Sequence, residues 1–224
     1  MKQNLILASL LLIGSYSFAQ SSNTKVGYGI KAGFNFSGVT IKDLAGEKVS
    51  SSGMKTGVYV GFYADVPLGN KWFFQPGLAV SNKGLIDRST STKTTVSATY
   101  AEVPLNFIYK VNGQDAGFFI GGGLYAAYGL TGIVKYRSNS YSESTIQFAS
   151  ASGITFNYSK NRFYLKPVDA GLSFLMGFET KSRLLFQLSA QAGIANQAEN
   201  TAGVTLQASK YKNYGVGIAF GYRF

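Results

Sequence analysis

The last fourteen residues alternate in character without a break. In Tyr211-Lys-Asn-Tyr-Gly-Val-Gly-Ile-Ala-Phe-Gly-Tyr-Arg-Phe224, the residues Tyr214, Val216, Ile218, Phe220, Tyr222 and Phe224 interleave with Asn213, Gly215, Gly217, Ala219, Gly221 and Arg223. Successive side chains of a strand point to opposite faces. The segment therefore reads as a strand with one large apolar face and one small or polar face. The same split recurs upstream. Tyr28, Ile30, Ala32, Phe34 and Phe36 oppose Gly29, Lys31, Gly33, Asn35 and Ser37, and Val58, Val60, Phe62, Ala64 and Val66 oppose Gly57, Tyr59, Gly61, Tyr63 and Asp65. Five further segments, around 72–81, 101–110, 117–129, 168–179 and 183–194, repeat it. Eight strands with a period of two exclude a helical protein and leave a closed or layered sheet.

Which face lies inside decides between the sheet architectures. Eight strands close around an interior only wide enough to be filled by side chains. Glycine, serine and alanine fit such an interior, and rows of Phe, Tyr, Ile and Val do not. The large face is therefore expected to point outward into lipid. A soluble barrel carries the reverse pattern. The connections agree: Pro67-Leu-Gly-Asn70, Val111-Asn-Gly-Gln-Asp115 and Thr180-Lys-Ser182 are tight turns, while segments around 40–54, 83–97, 131–164 and 197–210 are longer. Short periplasmic turns alternating with long external loops mark outer-membrane barrels. The expected fold is an all-β, eight-stranded, antiparallel, up-and-down transmembrane β-barrel over residues 20–224, with both termini in the periplasm. Trp72, Phe74, Tyr109, Phe118, Phe178 and Tyr222 are placed near the periplasmic interface and Tyr128 near the outer one, as aromatic girdles.

Residues 1–19 read as a signal peptide. Lys2 gives a positive start, Leu5 to Ile13 an apolar core, and Ser17-Phe-Ala19 the small residues of a cleavage site. The core is too short for a spanning helix, which needs ~20 residues. Mean hydropathy is only +0.06, as expected when each strand has one apolar face. The formal net charge is +11, spread over loops and strand ends without a dense cluster. That spread favours a basic rim facing anionic lipid head groups and lipopolysaccharide over nucleic acid.

The chain has no cysteine and no histidine. Disulfides, thiolate and imidazole ligands, and catalysis by a histidine base are therefore closed to it. No catalytic, cofactor-binding or metal-binding residue is assigned. Inward charges remain: Glu102 and Asp169 toward the outer half of the barrel, Lys31 nearer the middle, and Asp65, Lys110, Glu179, Arg183 and Arg223 near the periplasmic end. These read as an ion-pair network filling the interior, with a gated polar path or site as the alternative. The segment 131–164 is the other candidate, being long, basic and aromatic (Lys135, Tyr136, Arg137, Tyr141, Phe148, Phe156, Tyr158, Lys160, Arg162, Phe163), with Glu143 its one acid. Ile154 to Tyr158 alternates and is expected to form a hairpin above the membrane.

Four stretches resemble the PorT-like family of outer-membrane β-barrel proteins of Bacteroidota. Gly29-Ile-Lys-Ala-Gly-Phe-Asn-Phe-Ser37 is similar to its first strand, Phe73-Phe-Gln-Pro-Gly-Leu78 through Lys83-Gly84 to its third, and Tyr100-Ala-Glu-Val-Pro-Leu105 to its fourth. Gly217-Ile-Ala-Phe-Gly-Tyr-Arg-Phe224 is similar to its closing strand and to the terminal aromatic signal read by the barrel assembly machinery. Gly77 departs from the family, many of whose members have Glu there. The resemblance implies an outer-membrane barrel and carries no functional residue onto this chain. The expected function is non-enzymatic, either structural or binding an envelope or secretion partner, as an accessory of protein secretion or envelope assembly. The alternative is a narrow channel for small solutes or ions.

Overall fold

The computed structural model describes residues 25–43, 45–47, 53–88, 92–148, 163–198 and 208–224. The proposed signal peptide and the alternating stretch 154–158 lie outside them. Among the described residues ten strands form in chain order: β1 Gly27–Asp43, β2 Gly53–Pro67, β3 Trp72–Arg88, β4 Lys93–Lys110, β5 Gly117–Arg137, β6 Tyr141–Phe148, β7 Phe163–Leu165, β8 Val168–Glu179, β9 Leu184–Gly193 and β10 Ala208–Arg223. Eight of them close a ring, β1-β2-β3-β4-β5-β8-β9-β10, in which every neighbour is antiparallel and β10 pairs back onto β1 from Gly29↔Arg223 upward. The eight-stranded barrel is thus the fold. The two extra strands belong to one excursion at the end away from the tight turns: β6 pairs antiparallel with the far end of β5, and the short β7 lies parallel to β6. No helix among the described residues is long and apolar enough to cross a membrane.

The outward face carries the large apolar residues. Phe34, Val60, Leu78, Phe107, Phe118, Leu124, Leu172 and Phe220 are all exposed. On β10 the outward run from Tyr214 to Phe224 is ten residue steps, which at ~3.3 Å rise and ~40° tilt makes a band about 25 Å tall, the height of a lipid-facing belt. Aromatic pairs gather at the end that holds the short turns. Trp72 meets Tyr109 at 5.2 Å and Phe118 meets Phe178 at 5.0 Å between ring centroids, both edge-on.

Above this belt the pattern inverts, and strands run into the expected loops at 40–54, 83–97, 131–164 and 197–210, taking up 40–43, 53–54, 83–88, 93–97, 131–137, 141–148 and 208–210 among the described residues. On β4 the outward residues change from Ala101, Val103 and Leu105 to Thr95, Ser97 and Thr99, while the inward ones change from Glu102 and Asn106 to Val96, Ala98 and Tyr100. A strand that leaves lipid for water turns its apolar face to the core and its polar face to solvent. β1, β3, β4 and β5 therefore continue past the membrane as a water-soluble barrel end. β3 reaches Arg88 and β4 starts at Lys93.

At the opposite end the turns are tight. Gly113 takes φ +64° in the β4–β5 turn, where its N–H donates to the Lys110 carbonyl at 3.1 Å. Arg183 also adopts the left-handed region, at φ +64°, closing the β8–β9 turn by donating to the Thr180 carbonyl at 2.9 Å. Arg183 is exposed there and does not face the lumen, contrary to the sequence expectation. A side chain at the tip of a turn no longer follows the alternation of the strand beyond it.

The barrel interior as candidate functional site

The inward faces form layers. Nearest the tight turns lies an apolar plug of Tyr63, Phe73, Ile108, Phe119, Leu175 and Leu185. Large rings enter the lumen because glycine stands across from them. A Cβ on Gly29 would collide with the Tyr63 ring, and one on Gly177 with the Phe119 ring. The small inward face foreseen in the sequence is real, but its glycines make room for rings.

Four charges knit the rim at the tight-turn end around this plug. Lys110 reaches Asp65 at 2.6 Å and Glu179 at 3.4 Å. Arg223 pairs with Glu179 and donates to the Gln114 carbonyl at 2.8 Å. Gln75 donates to Asp65 at 2.8 Å, and its carbonyl accepts from Lys31 at 3.4 Å. Lys31 also donates to Gln187 at 3.1 Å and stands 5.2 Å from the Tyr63 ring centre. Of the predicted rim cluster, Asp65, Lys110, Glu179 and Arg223 come together and Arg183 does not.

The middle layer is polar and holds a cavity of about 60 Å³ lined by Lys31, Asn35, Ser81, Asn106, Ser173 and Gln187, among others. That volume accommodates a few waters, which need roughly 10–15 Å³ each by this measure. Asn35 donates to Ser81 at 2.9 Å, and Ser173 to Asn106 at 2.6 Å.

Above the cavity, Lys83 binds Glu102 at 2.6 Å and lies 3.9 Å from Asp169. Its ammonium sits 4.3 Å from the Tyr125 ring centre. Asp169 accepts from Asn213 at 2.9 Å and from Tyr125 at 3.4 Å, and Glu102 accepts from Gln191 at 3.4 Å. Glu102 and Asp169 were foreseen as inward. Lys83 was missed because it fell inside a stretch taken for a loop. The named inward cations Lys31, Lys83, Lys110 and Arg223 are matched in number by the acids Asp65, Glu102, Asp169 and Glu179. A balanced set is the one most readily buried, since an unmatched ion loses its hydration without recompense.

The outermost layer is a second apolar plug, built from Val39, Ile41, Leu85, Val96, Tyr100, Val134, Ile146, Leu165 and Tyr211, with Tyr136 and Phe148 packed against it. Gln197 pins the chain across this mouth. It is fully buried, accepts from Asn213 at 2.7 Å and from Tyr100 at 3.2 Å, and donates to the Lys166 carbonyl at 3.2 Å. Sequence reasoning had placed Gln197 in an external loop, and a lone glutamine carries no signal to the contrary. On the β5–β6 hairpin outside the membrane, Tyr141 donates to Glu143 at 2.5 Å, which raises its pKa above the ordinary phenol value. Burial raises that of Tyr136. Among the described residues, no group of three or more acidic side chains is placed to hold a metal ion.

An eight-stranded ring with a lipid-facing belt and a layered interior defines an integral outer-membrane β-barrel protein. The family whose description is "Outer membrane protein beta-barrel domain" matches residues 18–199, and the chain belongs to it. No curated protein matches the chain. Similar solved structures include Ail, the attachment invasion locus protein of Yersinia pestis, in complex with the heparin analogue sucrose octasulfate (TM-score 0.45, 14% identity, 90% of this chain and 100% of that one). The same protein without that compound gives a TM-score of 0.42 at 13% identity, covering 90% of this chain and 100% of that one. The outer membrane protein OprG of Pseudomonas aeruginosa gives 0.41 at 16% identity, covering 88% of this chain and 95% of that one.

Proposed function

We propose that this protein is a closed, non-conducting outer-membrane barrel that works through its external surface, as a structural or partner-binding component of the PorT-like kind. Its role would be that of an accessory to protein secretion or envelope assembly. The observation that carries this reading is the double plug. Apolar layers fill the lumen above and below a small cavity in the polar layer, and the ionic groups between them bind one another. A conducting path needs a continuous polar lumen, so the closed arrangement speaks against the narrow channel for solutes or ions. It also supports a non-enzymatic role. Glu102 and Asp169, the carboxylates nearest the outer end, are 2% and 0% exposed beneath the outer plug. A substrate entering from outside would have to displace that plug.

The proposed orientation puts the tight turns and both termini in the periplasm, with residues 1–19 removed as a signal peptide on export. The β5–β6 hairpin then faces outward and offers Lys135, Arg137 and Tyr141 to a partner protein.

Planar-bilayer recording of the refolded chain tests the closed barrel; stepwise currents at neutral pH would overturn it. The chain has no cysteine, so single introduced cysteines test the orientation cleanly. Ser138→Cys is expected to react with a membrane-impermeant maleimide on intact cells and Lys181→Cys only after lysis; the reverse pattern refutes the orientation.

A further inference from the structure

We infer that the outer wall around the β1–β10 seam carries a binding site for the phosphate groups of an outer-leaflet glycolipid, formed by Lys42, Lys166, Lys210 and Lys212. In the register of the seam, Lys42 stands directly opposite Lys210, and Lys212 follows on the same face opposite Thr40. The residues between them, Ile41 and Tyr211, are buried in the outer plug, so the lysines point outward. Lys166 joins the group through two backbone bonds. Its N–H donates to the Gln197 carbonyl at 3.0 Å, and the Gln197 N–H donates to the Tyr211 carbonyl at 2.9 Å. Lys166 is exposed while its neighbour Leu165 is buried. A multivalent anion lying across the seam meets cations carried by both strands at once.

The height of the cluster selects the ligand. Tyr214 marks the top of the apolar belt on β10, its ring laid against Gly38, where an added Cβ would come within 2.6 Å of the phenol oxygen. Lys212 lies two residues further out and Lys210 four, about 5 and 10 Å above the belt at the usual rise and tilt. The headgroup layer occupies roughly the first 5–8 Å beyond the hydrocarbon, and lysine stems bend toward it. The opposite wall differs at this level, presenting Asn82, Thr99 and Thr131. Its cations near this height are already engaged, Lys55 by Asn82 at 2.5 Å and Lys135 by Glu143 at 3.7 Å; Arg88, Lys93 and Arg137 are aligned across β3, β4 and β5. These last three stand six residues beyond that polar ring, about 15 Å higher, out of reach of lipid phosphates. The site is therefore one-sided, a property of the seam and not of the net charge.

The site rests on the orientation proposed above only for its place in the cell; binding in micelles is read without it, so the cysteine labelling and this test can fail separately. The folded chain would be mixed in detergent micelles with phosphorylated lipid A, and retention read by native mass spectrometry. Two matched variants each remove four positive charges: Lys42→Gln/Lys166→Gln/Lys210→Gln/Lys212→Gln at the seam, and Lys55→Gln/Arg88→Gln/Lys93→Gln/Arg137→Gln elsewhere. Heat-modifiable mobility would confirm that each has folded, and Lys210→Gln/Lys212→Gln serves if the seam variant does not fold. The seam variant is expected to bind roughly thirtyfold more weakly or worse, and the control within about threefold of the parent. Lipid A stripped of its phosphates should bind the parent as weakly as phosphorylated lipid A binds the seam variant. Equal losses in the two variants, undiminished binding by the seam variant, full binding of the stripped lipid, or no binding by the parent would each overturn the site.

Discussion

Replacing Lys83 with methionine removes the only cation among the described residues that touches both Glu102 and Asp169, at 2.6 and 3.9 Å. Methionine nearly preserves the length and volume of the side chain, so packing on Tyr125 is retained and the loss is mainly electrostatic. What remains for Asp169 is Asn213 at 2.9 Å and Tyr125 at 3.4 Å, and for Glu102 it is Gln191 at 3.4 Å. These neutral donors do not neutralise two carboxylates that are 0% and 2% exposed. Breaking a buried ion pair from one side costs about 3–5 kcal/mol, and Lys83→Met should destabilise the barrel by that amount. Replacing a whole buried ionic cluster with uncharged groups is near neutral. Lys83→Met/Glu102→Gln/Asp169→Asn should therefore return to within about 2 kcal/mol of the parent. The assay is urea unfolding of the chain inserted in short-chain phosphatidylcholine vesicles. Emission of Trp72 would follow it, since this is the one tryptophan of the sequence and lies exposed on the lipid face. If Lys83→Met unfolds within about 1 kcal/mol of the parent, or the triple variant is no better than the single, the ion cluster does not hold the outer half of the barrel.

Other perturbations probe the remaining layers. Gly29→Val drives a branched side chain into the Tyr63 ring and should cost about 1–3 kcal/mol in the same titration, with Tyr63→Ala partly restoring it; an additive double variant would show that the two do not share the space. Gln197→Leu removes the acceptor used by Tyr100 and Asn213, and should cost about 1–3 kcal/mol while speeding proteolytic nicking of the external segments at unchanged heat-modifiability. Equal nicking rates would mean that Gln197 does not pin the mouth. Arg183→Gly relieves a left-handed backbone at an exposed turn and should stabilise by up to about 1 kcal/mol, whereas Arg183→Val should destabilise; matched midpoints would refute the strain.

The fold was legible because lipid imposes the plainest of patterns, a large outward residue every second position over eight to ten residues. The strands became illegible where lipid ends. From Thr99 to Thr95 on β4, and from Lys212 to Lys210 on β10, the alternation persists with its sign reversed, and a reading that seeks apolar residues only on the lipid phase sees loops there. That reversal hid Lys83, the outer plug and the true length of β3, β4 and β5. It also carries information of its own. The residue at which the phase flips marks the membrane surface, between Ala101 and Thr99 on one strand and between Tyr214 and Lys212 on another. Glu102 and Asp169 were legible because each lies within the lipid phase, where an inward acid breaks a row of small residues. Their partner lies beyond the flip, where a lysine is indistinguishable from a solvated one until β3 is carried upward in register. Tyr63 was read on the inward face, but the room for its ring, and for those of Phe119 and Tyr125, stayed hidden for a different reason. A glycine on one strand and a ring on the next are a single packing unit, and alternation along either strand alone does not reveal it. The barrel's closure is thus a property of cross-strand pairs, which is why a chain whose inward faces read as small can be filled from rim to rim.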